Sequence, residues 1–341
     1  MGVQMSEIIP RKEIELSGLK GKVVAIDAFN ALYQFLTTIR QPDGTSLMDK
    51  NGNITSHLSG LFYRNINLLQ AGIKPVYVFD GIPPELKQLE IEKRKEAKQI
   101  AEQRYKEAKD KEDIKEMKKY GGRFVKITDE IIEQSKNLLE ALGIPVVQAS
   151  GEGEVEAAIL ARTNKVWAVA SQDYDTLLYG APYLIRNLTS ARQRKTSSGL
   201  YMDIKPELIE FQRVITKLDI DKDQLICLAI LVGTDYNPGG IFGLGQKRAL
   251  EIVQKYKYPV EIFRQVQQKF NFIFDWQEVF KQFHEYESSY MEDIEFNEVD
   301  ETKVKKILLS HDFSENRIDS GLQKLRAITE LKKQKGLGDF F

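Results

Sequence analysis

One cysteine, Cys227, and three widely spaced histidines, His57, His284 and His311, are all the soft metal ligands that the 341 residues offer. That excludes an internal disulfide and a Cys-rich zinc centre, and it predicts a reducing compartment. A His-based zinc site or a Ser-His mechanism has equally little to work with. Long apolar runs are missing too. No stretch approaches the roughly 20 residues of a membrane span, and Met1 to Gly18 lacks the apolar core of a signal peptide. The expectation is a soluble, cytoplasmic protein with no membrane partner. Nor does charge of one sign dominate: 49 Lys and Arg face 50 Asp and Glu, a formal net charge of −1. No global basic field announces nucleic acid, so any such field has to come from charge segregated into patches. Hydrophobic residues at 42% and charged residues at 29% leave an ordinary globular composition, which by itself does not choose between one domain and two.

What the chain does have is acid at the ends of apolar runs. Asp27 closes Val23-Val24-Ala25-Ile26, Asp80 closes Val76-Tyr77-Val78-Phe79, and Asp173 and Asp175 follow Val166-Trp167-Ala168-Val169-Ala170. Such runs, bounded by Gly and Pro, read as buried parallel strands, and open α/β sheets bind their ligands at the carboxyl ends of those strands. Glu152 and Glu154 in Gly151-Glu152-Gly153-Glu154, with Asp235 in Gly233-Thr234-Asp235, complete a set of seven. Seven carboxylates in one crevice repel and raise one another's pKa unless cations sit among them. Hard oxygen ligands suit Mg²⁺, and two such ions about 4 Å apart can hold a phosphodiester, activate water and stabilise the leaving oxygen. Glu156 is left out of the set, because two residues past Glu154 on a helix it faces elsewhere, as a supporting or solvated group.

From Gly21 to Pro145 the pattern reads strand, helix, strand, charged segment, amphipathic helix, then the strand Ile144-Pro145-Val146-Val147. This predicts an α/β fold: a mostly parallel central sheet with helices on both faces. Glu85 to Arg123 breaks the rhythm. It is rich in Glu, Lys, Gln and Ala, helical in propensity but too polar for a core. A solvated helix laced with i,i+4 pairs is the ordinary reading of such a run. Because it leaves directly from Asp80-Gly81-Ile82-Pro83-Pro84, it is read instead as an arch over the crevice, with Lys87 and Arg94 facing inward. Asn187 to Gly199 reads as a polar, basic hairpin loop, Glu292 to Glu301 as a surface turn or linker, and Val304 to Lys333 as two helices.

Two further motifs stand out. Gly240-Ile241-Phe242-Gly243-Leu244-Gly245-Gln246-Lys247-Arg248 places glycines ahead of an amphipathic helix, where backbone N–H groups and two cations can meet a phosphate. The C-terminal octet Gln334-Lys335-Gly336-Leu337-Gly338-Asp339-Phe340-Phe341 pairs a Gln with a Leu three residues on and ends in two aromatics, costly to expose unless something receives them.

Taken together, Val23–Asp27, the block from Thr55-Ser56-His57-Leu58 through Lys74-Pro75-Val76-Tyr77-Val78-Phe79-Asp80-Gly81-Ile82-Pro83-Pro84, Gly151–Glu154, Ser171-Gln172-Asp173-Tyr174-Asp175 and Gly233-Thr234-Asp235-Tyr236 resemble the flap structure-specific endonuclease family over essentially the whole chain. The resemblance implies a 5′-nuclease-like domain, 1–330, with an arch at about 85–123 and a helix–two-turn–helix at about 225–256, followed by a clamp-binding tail, 331–341. It implies cleavage near the base of 5′ flaps, with 5′-3′ exonuclease activity, in Okazaki-fragment maturation and DNA repair. By the same resemblance the metal ligands would be Asp27, Asp80, Glu152, Glu154, Asp173, Asp175 and Asp235, holding two Mg²⁺ ions that Mn²⁺ can replace. Lys87 and Arg94 would contact the scissile phosphate and Tyr33 would stack on the neighbouring base. Gly243, Gly245, Lys247 and Arg248 would grip the duplex of the branched DNA, at an element that in some members holds K⁺. Gln334, Leu337, Phe340 and Phe341 would dock an otherwise monomeric protein on the sliding clamp, PCNA.

The segment between Met1-Gly2-Val3 and Gly21 does not align with the family, and the clamp box has no basic tail after it, which points to an archaeal-type protein. Other readings fit less well. A 5′-exonuclease or a Holliday-junction resolvase shares the acids, but the arch and clamp box disfavour the resolvase. An aspartyl-phosphate phosphatase needs a second Asp two residues after its nucleophile, where Asp27 is followed by Phe29. A catalytically dead clamp-binding scaffold would have lost ligands, and all seven are present.

Overall fold

The computed structural model describes residues 3–191, 193–195, 201–286 and 293–338. The chain opens with an edge strand β1 (Lys12–Glu13), then β2 (Val23–Asp27), α1 (Ala28–Thr38), α2 (Ser56–Gln70) and β3 (Lys74–Phe79). The charged segment follows as a 3₁₀ turn (Glu85–Lys87), α3 (Gln88–Asp110) and α4 (Ile114–Gly121). Next come α5 (Asp129–Ala141), β4 (Val146–Gln148), α6 (Gly153–Arg162), β5 (Ala168–Ala170), α7 (Asp175–Leu178), β6 (Tyr183–Arg186), the small hairpin β7 (Gln193–Lys195) and β8 (Tyr201–Asp203), and β9 (Glu207–Glu210). Six helices follow, α8 (Phe211–Leu218), α9 (Lys222–Val232), α10 (Gln246–Lys255), α11 (Pro259–Gln267), α12 (Trp276–Gln282) and α13 (Glu301–Ser310), before a long α14 (Glu315–Gly338).

The sheet order is β1-β9-β6-β5-β2-β3-β4, with β6, β5, β2, β3 and β4 parallel, β9 antiparallel to β6, and the edge strand β1 antiparallel to β9. The central strands β2, β3 and β5 are almost wholly apolar because both faces are covered, and successive residues alternate between two cores. Ala25, Val76, Val78, Val147 and Val169 point to one core, shared with α6, α7 and the helices α8 to α12. Val24, Ile26, Tyr77, Phe79, Ala168 and Ala170 point to the other, with α1, α2, α5, α13 and α14. The parallel sheet with helices on both faces is as the sequence predicts.

Two details differ from the sequence reading. Between β2 and β3 there are two helices, because Arg40 to Thr55 makes a bridged turn in which the Asp49 carboxylate accepts the N–H groups of Asn51 and Asn53. The charged segment is likewise a helical hairpin. Glu112 is left-handed and Asp113 caps α4 through the N–H groups of Lys115 and Glu116. Arg104 Nη1 donates to the Tyr120 hydroxyl at 2.7 Å, tying α3 to α4, and Tyr105 packs on Phe124 at 5.0 Å. The far end lands on the 40–46 turn, where a Cβ on Gly121 would meet the Gly44 carbonyl at 2.9 Å. The segment is therefore anchored at both ends, by Lys87 and Arg94 on the acids at one and by Gly121 on the 40–46 turn at the other.

The hairpin β7–β8 agrees with the predicted basic loop, although Arg192 and Thr196 to Leu200 lie outside the described residues. Residues 293–300 form an irregular connection whose Asp300 caps α13. The backbone of α14 stays helical through Gly338, so the expected tail begins inside a helix, while Phe340 and Phe341 lie outside the described residues. Among the described residues no helix is long and apolar enough to cross a membrane.

Candidate active site

The carboxyl edge of the parallel strands opens into a cleft of about 680 Å³. All seven candidate carboxylates line it, and so do Lys87, Arg94 and Tyr33. Each acid arrives by a local route. Asp27 ends β2 and also caps α1, its Oδ1 accepting the Asn30 N–H at 3.0 Å. Asp80 follows β3 and accepts the Gly153 N–H at 2.6 Å, a contact that a Cβ on Gly153 would spoil by standing 2.7 Å from the same oxygen. Glu152 stands at the N-terminal boundary of α6 with its side chain free of the helix backbone, and Glu154 lies in the first turn, while Asp175 opens α7. Asp235 comes from the turn after α9, a helix end where the sheet pattern gives no guide.

Electrostatics in the cleft follow from burial. Desolvation, then the charge of Asp80, pushes Asp27 up to about 7. Desolvation, then Asp173, does the same for Asp175, also to about 7. Burial raises Glu154 and Asp80 as well. Asp235 goes the other way: burial opposes its ionisation, but Lys87 and Arg94 hold it below the usual carboxylate range. The Lys87 ammonium contacts Glu152, lies 3.6 Å from Glu154 and 3.1 Å from Asp235, and Arg94 Nη2 lies 2.7 Å from Asp235. Protein cations thus already occupy the negative pocket.

The donor set fits a hard divalent ion. It consists of carboxylate oxygens with no described His or Cys in the lining, and burial, with repulsion between neighbouring acids adding, raises Asp27 and Asp175, an effect that a bound cation would reverse. Among the described residues no three His, Cys, Asp or Glu side chains close a finished cage around one point. Mg²⁺ does not require one, since it keeps several waters and takes one or two carboxylates at a time.

Several supporting residues escape the sequence reading. Val3 is buried and its N–H donates to Asp175 Oδ1 at 2.8 Å, so the N-terminal segment, which the sequence reading left without a role, reaches the site, although Gly2 itself lies outside the described residues. Asn30 Nδ2 reaches Asp173 Oδ2 at 3.3 Å, and the Tyr236 hydroxyl donates to Glu152. Their signal was proximity in sequence to an acid, at Asn30 and Tyr236. Glu156, expected to be supporting or solvated, is only 4% exposed on α6, so the solvated alternative is wrong. Tyr33 stands at the mouth of the cleft, 39% exposed, with Lys98 Nζ 5.7 Å above its ring.

The glycine-rich motif does not line the cleft. It forms the turns between α9 and α10, with Gly245 as the cap of α10 and Gly243 at positive φ. Gly240 packs so closely that a Cβ would meet the Val232 carbonyl carbon at 2.3 Å. Lys247 is well exposed with Glu7 Oε2 at 3.5 Å, and Arg248 lies over the Phe270 ring at 5.4 Å.

Two family descriptions match the chain: the XPG N-terminal domain over residues 1–101 and the XPG I-region over residues 143–235. The first holds Asp27 and Asp80 and the second the other five acids, so both matched regions meet at this cleft. Fold and site together define a metal-dependent nuclease. The chain is 50% identical over 343 residues to flap endonuclease 1 of Thermococcus onnurineus, covering 100% of this chain and 99% of that protein. It is 51% identical to flap endonuclease 1 of Pyrococcus furiosus, again covering 100% and 99%. A solved flap endonuclease-1 structure from Methanococcus jannaschii superposes with a TM-score of 0.73 at 40% identity, covering 97% of this chain and 100% of that one. The chain belongs to the flap endonuclease 1 family.

Proposed function

We propose that the protein is a structure-specific 5′-flap endonuclease, with 5′-3′ exonuclease activity at the same site, that hydrolyses a phosphodiester near the base of a flap. The observation that carries this is the convergence of seven carboxylates with Lys87, Arg94 and Tyr33 on one cleft under a bridge anchored at both ends. Asp27, Asp80, Glu152, Glu154, Asp173, Asp175 and Asp235 would hold two Mg²⁺ ions, or Mn²⁺ as another hard ion. Such ions supply an activated water and stabilise the leaving oxygen. Lys87 and Arg94, now paired with acids, turn to the scissile phosphate, where positive charge is worth most as negative charge develops. Tyr33 stacks on the base beside the cut, a contact open to any base. The bridge of α3 and α4 admits a single strand and excludes a duplex, which selects a flap.

The turns around Gly243 and Gly245, with Lys247 and Arg248, hold the uncut duplex by its phosphates and offer carbonyl oxygens suited to K⁺. Gln334, Leu337, Phe340 and Phe341 dock on a sliding clamp of the PCNA type, and the protein acts as a monomer inside the cell in Okazaki-fragment maturation and repair. The test compares a double-flap duplex, a nicked duplex, a four-way junction and p-nitrophenyl phosphate, each in Mg²⁺ and in EDTA. Incision confined to the flap and lost in EDTA is expected. Preferred cutting of the four-way junction, or phosphatase turnover, would overturn the reading.

A further inference from the structure

Both oxygens of Glu152 are engaged. Oε1 meets the Lys87 ammonium on the cleft side, and Oε2 accepts from the Tyr236 hydroxyl on the protein side. Tyr236 in turn lies hydroxyl to hydroxyl with Tyr179 at 2.7 Å. An ionised carboxylate can only accept, so the Tyr236 proton points at Glu152 and the Tyr179 hydroxyl is left to donate to Tyr236. Donation therefore runs one way, from Tyr179 to Tyr236 to Glu152, and each bond polarises the next.

The two tyrosines are 7% and 1% exposed, and neither belongs to the cleft lining. Phe283 packs edge-on against Tyr236 at 5.4 Å and tilted against Tyr179 at 5.2 Å, which fixes both rings. The backbone at Tyr236 is equally constrained. Asn237 Oδ1 accepts the Thr234 N–H at 3.0 Å, Thr234 Oγ1 accepts the Tyr236 N–H at 3.1 Å, and Asn237 Nδ2 reaches back to the Ile230 carbonyl at 2.7 Å. This knot sends two neighbouring side chains to opposite sides of one site. Asp235 reaches Lys87 and Arg94, while Tyr236 reaches Glu152 from behind.

We infer that Tyr236 is a positioning residue for Glu152: its hydroxyl, backed by Tyr179, holds one carboxylate oxygen so that the other faces the cleft at a set distance from Asp235. The inference rests on the reading of Glu152 as a metal ligand. A tyrosine that merely satisfied its hydroxyl would matter for stability alone, whereas a group that orients a ligand sets metal affinity by about tenfold to a hundredfold.

The test is a calorimetric titration of Mn²⁺ into the metal-free full-length protein without DNA. Tyr236→Phe is expected to weaken Mn²⁺ binding at least about tenfold and to raise the Mg²⁺ concentration giving half-maximal incision by a similar factor. Tyr179→Phe, which keeps the Tyr236–Glu152 bond, should shift both in the same direction by less. Unchanged Mn²⁺ affinity in Tyr236→Phe, with or without a lower melting temperature, overturns the inference. If Tyr236→Phe does not fold, Tyr179→Phe decides on the same criterion. Wild-type protein that binds no Mn²⁺ saturably would sink the metal reading itself, whereas normal wild-type binding with an unaltered variant sinks the positioning role only.

Discussion

Arg94 Nη2 lies 2.7 Å from Asp235 Oδ2, an ion pair between residues 141 apart in sequence. Lys87 Nζ lies 3.1 Å from the same oxygen. The start of the charged segment is thus tied to the turn that follows α9, and both cations sit where they offset the buried acids.

If the carboxylates hold the catalytic ions, Asp80→Ala and Asp175→Ala should abolish incision while flap-DNA binding stays at least as tight as wild type. Phosphate contacts supply most of the affinity, and the variants remove negative charge. Gel-shift affinity in EDTA and single-turnover incision in Mg²⁺ check this, with circular dichroism to verify folding. Normal turnover by either variant would sink the assignment.

Lys87→Ala and Arg94→Ala should each slow single-turnover incision by roughly a hundredfold or more, the scale of losing one preorganised charge at the transition state, and weaken binding far less. Rates at saturating enzyme separate the two effects. Unchanged rates would return α3 to the status of a solvated helix.

Lys247→Ala combined with Arg248→Ala should weaken duplex binding uniformly across sequences and flatten its dependence on salt, by about one unit of log–log slope for each phosphate no longer neutralised. Affinity measured from low to moderate salt gives the answer. An unaltered slope would leave the glycine-rich turns as a structural connection only.

His57 supplies a pH dependence outside the cleft. It is fully buried, and Gln134, whose amide donates to Glu130, presents Oε1 to His57 Nε2 at 2.9 Å. Nε2 therefore carries the proton, and Nδ1 has no partner among the described residues. Burial, with the charge of His311 adding, depresses the imidazole to about 4. A depressed histidine binds fewer protons in the fold than in the unfolded chain, so its stabilising effect is full above about 6.5 and is lost as pH falls from there toward 4. One proton corresponds to a slope of at most about 1.4 kcal/mol per pH unit. His57→Gln should show that much less acid destabilisation across this window in denaturant titrations. Identical slopes would refute the assignment, since the cleft carboxylates are common to both proteins and cancel.

Phe340→Ala with Phe341→Ala should eliminate binding to a sliding clamp and clamp-stimulated cleavage, because buried aromatic anchors in small interfaces are each worth on the order of 2 kcal/mol. Cleavage of a double flap without clamp should be kept. Equal clamp affinity of the intact and altered proteins by calorimetry would refute the tail assignment, and a drop in clamp-free cleavage would assign the aromatics to the nuclease domain instead.

The sequence by itself determined the parallel strands and the acids at or just past their ends, since Asp27, Asp80 and Asp173 each follow a run whose apolar character comes from burial on both faces. Those signals are local, a few residues long, and survive without knowledge of partners. It also marked the charged segment as helical and its exit from Asp80 as a route over the site. Only the tertiary structure decided that this segment is a hairpin closed on the 40–46 turn, and that Asp235, already picked out in the sequence, reaches the cleft from a helix end rather than a strand end. Only it placed Val3 on Asp175 and Tyr236 on Glu152, the latter across 84 residues. The reason is physical: a strand or helix is written in the period of its own side chains, whereas a hydrogen bond between distant residues depends on how sheet order and helix packing bring two turns together, which no local pattern encodes.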